Sequence, residues 1–392
     1  MKCIREELNL NNKKIILRLD LNVPLVDNKI TDTTRIDKIL PTLNFLLSQN
    51  VKIIIISHVG RPKGRVENKL TLKPICEDLE IKLNQNIKLI SKNVKEIASK
   101  DLFNNNHEKI VMLENIRFYS EEEKNKPQFA KQLASLGDIY VNDAFSCSHR
   151  AHASIDEITN FLPCYSGFQL DSEINALKKI TSEIKKPITC IIGGSKISTK
   201  INIIKNLIPK FDNIVIVGGM ANNIIRYKGN NIGKSIQEDK SDQIIKEIFS
   251  LSGTQNCNII YPQDVVVGKN LNDSPQTKKL NEISADDMIL DIGPKTINII
   301  KNIIDESNTI LWNGPAGYFE NPNFANGSIE IANKIVENNK SNKIYSVAGG
   351  GDTVSLLNSL DSTRNFNFVS TAGGAFLEYL EGKELPGIKA LN

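Results

Sequence analysis

Arginine is the side chain whose placement first points to chemistry. The sequence of 392 residues holds nine arginines against forty lysines, and seven of the nine fall within the first 150 positions. In a chain that uses Lys so freely, Arg is expected to persist where a planar, permanently charged, bidentate fork is needed. Arg18, Arg35, Arg61, Arg117 and Arg150 all sit in or beside short polar motifs. Five forks converging on one place would hold a small anion through carboxylate or phosphate oxygens. Scattered surface charge is the competing reading for any one of them. Asp20 and Asn22 lie two apart in an extended segment, so both can face one side and recognise hydroxyl groups; turn chemistry is the alternative. His58 directly follows an apolar run and precedes Gly60-Arg61-Pro62. It reads as a hydrogen-bond donor to a ligand rather than as a general base. No Ser-His-Asp or Cys-His nucleophile arrangement stands out, and His149 with His152 lacks the companions of a metal site.

The second half offers glycine where the first offers guanidinium. AGGGDT (348–353) follows a β-branched run. Gly350 and Gly351 let the backbone approach an anion closely. Asp352 would be repelled by bare phosphate, so a bridging Mg²⁺ is expected beside it. Thr353 could donate to a phosphate; a plain helix cap at Asp352 is the alternative. GGSKISTK (193–200) sets Lys196 and Lys200 four apart. On a helix beginning near Ser195 both would face one side and neutralise a phosphoryl group in transfer. Solvent-facing lysines are the alternative. STAGGA (370–375) opens another helix at Gly373 and Gly374. Further turns carry Gly218 and Gly219, Gly293, and the run WNGPAGYFE that ends at Glu320. Exposed N–H groups at such helix starts suit phosphate chains. GNNIGKS (229–235) imitates a P-loop but has three residues between its glycines where that motif has four, and it is expected to be a surface turn.

The elements that must position these residues repeat along the chain. Short β-branched runs alternate with helical stretches: Ile15–Leu19, Lys52–Ile56, Ile87–Ile90, Lys109–Leu113 and Ile139–Val141 in the first half, then Ile188–Ile192 through Phe366–Val369 in the second, Met288–Ile292 among them. The pattern predicts parallel strands buried on both faces. Its two halves predict an α/β protein of two doubly wound, Rossmann-like parallel-sheet domains, since 392 residues exceed one ordinary core. The expected division is 1–168 with a returning tail 376–392, a helix 169–186 between the domains, and 187–375. That helix has apolar residues at 170, 174, 177, 180 and 184 and is expected to end at Pro187. It would act as a hinge, with an ordinary crossover helix as the alternative. Ligands of open α/β sheets bind beyond the carboxyl ends of strands, where all these motifs fall.

Composition narrows the class further. Net charge is +4 and no basic run is interleaved with aromatics, so nucleic acid is not an expected partner. No apolar run approaches a membrane span, and MKCIREELNL is charged where a signal peptide would be apolar. Six widely spaced cysteines form no C-x-x-C and read as free thiols of the cytoplasm.

Taken together and in order, from RLDLNVP (18–24) to LPGIKAL (385–391), these motifs resemble the phosphoglycerate kinase family over nearly the whole chain. The resemblance implies reversible, Mg²⁺-dependent phosphoryl transfer between ATP and the carboxylate of 3-phosphoglycerate, giving ADP and 1,3-bisphosphoglycerate. It also implies domain closure and a cytoplasmic monomer. Carried over, Asp20, Asn22, His58, Arg61, Arg117 and Arg150 resemble the acid site. Arg35 resembles the arginine bridging to the transferring group, and Lys196 the transition-state lysine. Lys200, Glu320 and Gly350–Thr353 resemble the nucleotide site, and Gly373 and Gly374 the start of the catalytic helix. The chain departs from the family at Ser146, Thr199, Ile224 and Ala372, where Gly, Asp, Phe and Gly are usual. Ser146 and Ile224 are expected to be peripheral; Ala372 is expected to restrict backbone approach. A two-lobed solute-binding protein, a kinase for another acid and an impaired nucleotide sensor are the competing classes.

Overall fold

The β-branched runs form strands because each is bounded by turn residues and buried on both faces. The computed structural model describes residues 1–103 and 107–392. The chain separates into two units, Met1–Asn175 with Glu384–Asn392, and Ala176–Lys383.

In the first unit six strands, β1 (Lys14–Leu19), β2 (Lys52–Ile56), β3 (Ile87–Ile90), β4 (Ile110–Leu113), β5 (Ile139–Asp143) and β6 (Cys164–Ser166), make one parallel sheet in the order β3-β4-β2-β1-β5-β6. Leu17 of β1 pairs with Ile55 on one side and Val141 on the other. Chain connections leave β1 toward β2 and return to β5, so the switch point lies between β1 and β5. Helices α1 (Thr34–Leu47), α2 (Lys73–Leu83) and α3 (Pro127–Ala134) cross over between strands. In α1, Ile36, Ile39, Leu43 and Leu46 are buried at helical spacing. α2 stops at Asn84, which takes the left-handed conformation at φ 48°.

The second unit repeats the plan. Strands β7 (Ile188–Ile192), β8 (Asn213–Ile216), β9 (Asn258–Ile260), β13 (Thr309–Asn313), β14 (Tyr345–Gly349) and β15 (Phe368–Ser370) run parallel in the order β9-β8-β7-β13-β14-β15. The switch point is between β7 and β13. Between β9 and β13 the chain makes a separate antiparallel sheet, β11-β10-β12, from β10 (Asp264–Gly268), β11 (Gln276–Lys279) and β12 (Met288–Ile292). Met288–Ile292 therefore departs from the expected parallel arrangement. The short links 269–275 and 280–287 allow antiparallel returns but leave no room for a crossover helix. The pseudo-P-loop at 229–235 packs as a turn against this sheet, Lys234 N–H donating to Asp287 O at 2.7 Å.

The helix between the halves, α4 (Phe168–Thr181), is shorter than its apolar stripe predicts. Leu170, Ile174, Leu177 and Ile180 are buried as expected. It ends early because Ser182 N–H and Glu183 N–H both turn back onto Lys178 O, at 2.9 and 2.8 Å. Beyond it, the carbonyls of Lys185 and Lys186 accept from Thr309 and Asn308, drawing the chain into β7. The unit division falls within α4, between Asn175 and Ala176, and residues 376–383 lie with the second unit. Helices α5 (Ile201–Leu207), α6 (Gly219–Tyr227), α7 (Asp242–Gln255), α8 (Pro294–Glu306), α9 (Asn326–Lys340), α10 (Gly351–Ser359) and α11 (Gly373–Leu380) complete this unit. No described helix is long and apolar enough to cross a membrane.

Candidate functional site

At the switch point of the first unit, the segments leaving β1, β2, β4 and β5 meet. Asp20, one residue past β1, accepts from Arg35 Nη1 at both carboxylate oxygens, at 2.9 and 2.7 Å. Arg35 reaches it from the first turn of α1. Ser146 Oγ donates to the same carboxylate at 2.5 Å. Asn22 Oδ1 accepts the Gly60 N–H at 2.9 Å, and Arg117 Nη1 donates to Gly60 O at 3.2 Å. Asp20, Asn22, Arg35 and Arg117 are thus tied into one cluster around the β1 and β2 ends. Arg61 adjoins Gly60, is exposed, and makes no hydrogen bond or ion pair to any described residue. Arg150 is exposed and donates to His149 Nε2 at 3.1 Å.

Two sequence expectations change here. Arg18 is fully buried, and its fork serves protein groups, so it offers nothing to a ligand. Ser146 is not peripheral, because its hydroxyl joins the Asp20–Arg35 pair. His58 is buried beside Arg18. Its Nδ1 lies 3.0 Å from Arg18 Nη2, and a guanidinium can only donate. Nδ1 must therefore be the bare nitrogen and Nε2 the protonated one. Burial, reinforced by the charges of Arg18, Arg117 and Arg35, holds the imidazole pKa well below its usual value. The ring is thus held neutral, with its proton on Nε2.

The second unit presents a cavity of about 250 Å³ at its own switch point. Gly218, Gly219, Glu320 and Asp352 line it, with apolar walls that include Ile236 and Leu271. Two turns press together below it: a Cβ on Gly314 would stand 2.4 Å from Gly193 O, and one on Gly193 2.2 Å from Pro315 O. No side chain fits at either position. Lys200 does not line the cavity; its Nζ donates to Asn313 Oδ1 at 2.5 Å, and burial pushes its pKa down. Asn313 Nδ2 in turn holds Gly349 O at 2.7 Å, at the turn into Gly350. Thr353 is buried, and its hydroxyl accepts the Gly314 N–H at 2.7 Å. It ties the two glycine turns together. Gly351 and Gly373 differ from the packed glycines, since a Cβ on either would meet nothing within 4 Å. Gly374 is exposed in the first turn of α11. Gly293 lies apart from the cavity and is a packing glycine, where a Cβ would strike the Asp264 carboxylate at 2.3 Å.

Lys196 is exposed, and the predicted helix does not begin at Ser195 but at Ile201. Glu238 accepts from Ser198 N–H at 3.0 Å, and Thr199 Oγ1 donates to Lys196 O at 2.8 Å, which hold the segment as turns. Ala372 is buried at φ −100°, so its methyl group occupies no accessible surface. Ile224 is core. Asp291 was missed by the sequence reading. It lines the cavity, is buried beneath Gly317 and Gly327, and accepts the Gly327 N–H at 2.7 Å. Burial pushes its pKa up to about 7. A carboxylate as the fourth residue of the apolar run MILDI, two before Gly293, was the available signal.

A guanidinium-lined cluster at one switch point and a glycine-lined cavity at the other describe an α/β enzyme of the phosphotransferase class. Residues 5–383 match the family model for phosphoglycerate kinase. A phosphoglycerate kinase of a Wolbachia from Drosophila simulans is 46% identical over 388 residues, covering 98% of this chain and 97% of that protein. The structure of phosphoglycerate kinase from Coxiella burnetii superposes with a TM-score of 0.90 at 36% identity, covering 98% and 97% of the two chains. That from Pyrococcus horikoshii gives 0.83 at 28% identity, covering 100% and 98%. The chain belongs to the phosphoglycerate kinase family.

Proposed function

We propose that the protein transfers a phosphoryl group reversibly between ATP and the carboxylate of 3-phosphoglycerate, giving ADP and 1,3-bisphosphoglycerate, as a glycolytic kinase. The first unit is the acid-binding domain and the second the nucleotide-binding domain. The observation that carries the reading is the cluster around Asp20: donors only, from Arg35, Arg117 and neutral His58, beside one carboxylate suited to a hydroxyl. Arg61 and Arg150, with exposed forks, serve the distal phosphate. The acceptor carboxylate is already charged, so no general base is needed, and positioning with charge neutralisation does the work. Gly218, Gly219, Gly350 and Gly351 offer main-chain donors to the nucleotide, and Glu320 its ribose. Lys196, Arg35 and the α11 start at Gly373 and Gly374 neutralise the group in flight.

Asp352 fits a magnesium ion of the kind that arrives with a nucleotide. It is an exposed carboxylate at the cavity, on the α10 start beside Gly350 and Gly351, and Mg²⁺ is commonly held by one or two carboxylates plus substrate phosphates. When bound, the ion would offset phosphate charge. Transfer requires the two substrates to meet in line, so the units must close on them and exclude water. A cytoplasmic monomer with no nucleic-acid or membrane partner completes the proposal.

Coupled NADH assays with ATP and 3-phosphoglycerate, with and without Mg²⁺, test it directly. Turnover with 3-phosphoglycerate and none with acetate or aspartate is expected. Preference for another acid, or tight binding without turnover, would overturn it.

A further inference from the structure

Glu122 has no place in the chemistry above, yet it is fully buried in the short helix Ser120–Glu123. Both carboxylate oxygens are engaged by one residue: Oε1 accepts from Ser154 Oγ at 2.6 Å and Oε2 from Ser154 N–H at 2.9 Å. The hydroxyl proton of Ser154 is thereby committed, which leaves its oxygen lone pairs to accept from Arg18 Nε at 2.9 Å. Arg18 Nη1 donates to Leu19 O at 2.5 Å. Nη2 faces His58 Nδ1 at 3.0 Å and, with its second hydrogen, Cys147 Sγ at 3.8 Å, the thiol standing 4.0 Å from the same imidazole nitrogen. Each link has one permitted polarity, because a carboxylate only accepts and a guanidinium only donates. His152 stands beside the chain, its Nδ1 3.9 Å from Glu122 Oε1, but burial and three neighbouring arginines keep it neutral, so it does not compete as an ion pair. His58 Nε2 makes no hydrogen bond among the described residues and is not sealed from solvent.

We propose that Glu122 and Ser154 are positioning residues for the acid site: through Arg18 they fix His58 in the Nε2–H tautomer, so that its free N–H is offered to the substrate. This rests on the reaction proposed above but is read separately from it. A structural role alone would hold the loop without setting which nitrogen carries the proton. The chain also explains why an arginine is spent inside the first unit, where lysine could not bridge a serine and an imidazole at once.

The test is nitrogen NMR of the full protein labelled with ¹⁵N-histidine at pH 7, the His58 signal being assigned by its loss in His58→Gln. The wild type should show a bare Nδ1 and a protonated Nε2. Ser154→Ala and Glu122→Gln should bring in the Nδ1–H form. Both should raise KM for 3-phosphoglycerate roughly 10-fold, the usual scale of one charge-assisted hydrogen bond, and leave KM for ATP unchanged. Ser154→Thr, which keeps the hydroxyl, should restore both readouts. If Glu122→Gln does not fold, the two Ser154 variants decide the matter. A wild-type spectrum with protonated Nδ1, or variants that keep both tautomer and KM, would overturn the proposal. The expected tautomers in a protein that fails to phosphorylate 3-phosphoglycerate would sink the reaction instead and leave the chain of contacts standing.

Discussion

Arg18 and Arg35 carry the same guanidinium into opposite uses. Arg18 is sealed against Ser154, Leu19 and His58, whereas Arg35 remains partly exposed at Asp20. Arg35→Lys keeps the charge but loses the fork. It should lower kcat far more than it raises KM for nucleotide, in steady-state kinetics with both substrates varied. Lys196→Ala should cost roughly 10²-fold or more in kcat if its ammonium meets the moving charge; an effect confined to KM for ATP would assign it to ground-state binding. His152 gives a stability prediction. Its pKa is lowered to about 3 in the folded protein. As pH falls below the ordinary histidine range, the unfolded chain takes up a proton that the folded one refuses, so stability falls from about pH 6.5 toward pH 3. His152→Gln should shrink the loss between pH 7 and pH 5 by roughly 1–2 kcal/mol in urea unfolding. Residue types and their place after strands were enough to find Asp20, Asn22, Arg35, His58 and Arg117 together. They could not say which arginine turns inward, nor that Ser146 or Glu122 would matter, because those assignments depend on partners distant in sequence.

At the scale of elements, the join between β5 and α4 is a point where two demands meet. Asp143 accepts from Thr42 Oγ1 at 2.6 Å and from Leu170 N–H at 2.9 Å, so one side chain holds β5, α1 and the start of α4. A Cβ on Gly167 would lie 2.3 Å from that carboxylate carbon. Gly167→Ala should therefore destabilise the first unit by roughly 1–3 kcal/mol, through displacement of a buried hydrogen-bonded carboxylate; chemical denaturation followed from this unit would measure it. Parallel strands such as β1, β2 and β7 were legible because burial on both faces leaves a continuous apolar run. β10 escaped notice, and β12 was read in the wrong direction. A run such as MILDI looks alike whether its partner lies parallel or antiparallel, since direction is set by the length of the connection rather than by the strand. The early stop of α4 was hidden for a similar reason: its apolar stripe continues to Ile184, but Asn308 and Thr309 capture the carbonyls beyond it.

At the scale of the whole molecule, the chain returns to the unit in which it began. Gly387 N–H donates to Ser148 O at 2.9 Å, and a Cβ on Gly387 would press on Ile155 at 2.6 Å. Ser148 neighbours His149 and Arg150, so the tail braces the loop that carries Arg150. Removal of residues 384–392 should lower the melting temperature of the first unit and raise KM for 3-phosphoglycerate severalfold, with nucleotide affinity untouched; equal losses for both substrates would refute the brace. The contact between Cys164 and Ala390 joins positions 226 residues apart, and that separation has a consequence during synthesis. A ribosome delivers the loop bearing Arg150 long before the segment that supports it. Nascent protein must wait, with this part of its surface unfinished, while the entire intervening unit emerges. Closure of so distant a pair is slow, and competence to bind 3-phosphoglycerate should appear only once the 384–392 segment has emerged, later than competence to bind ATP.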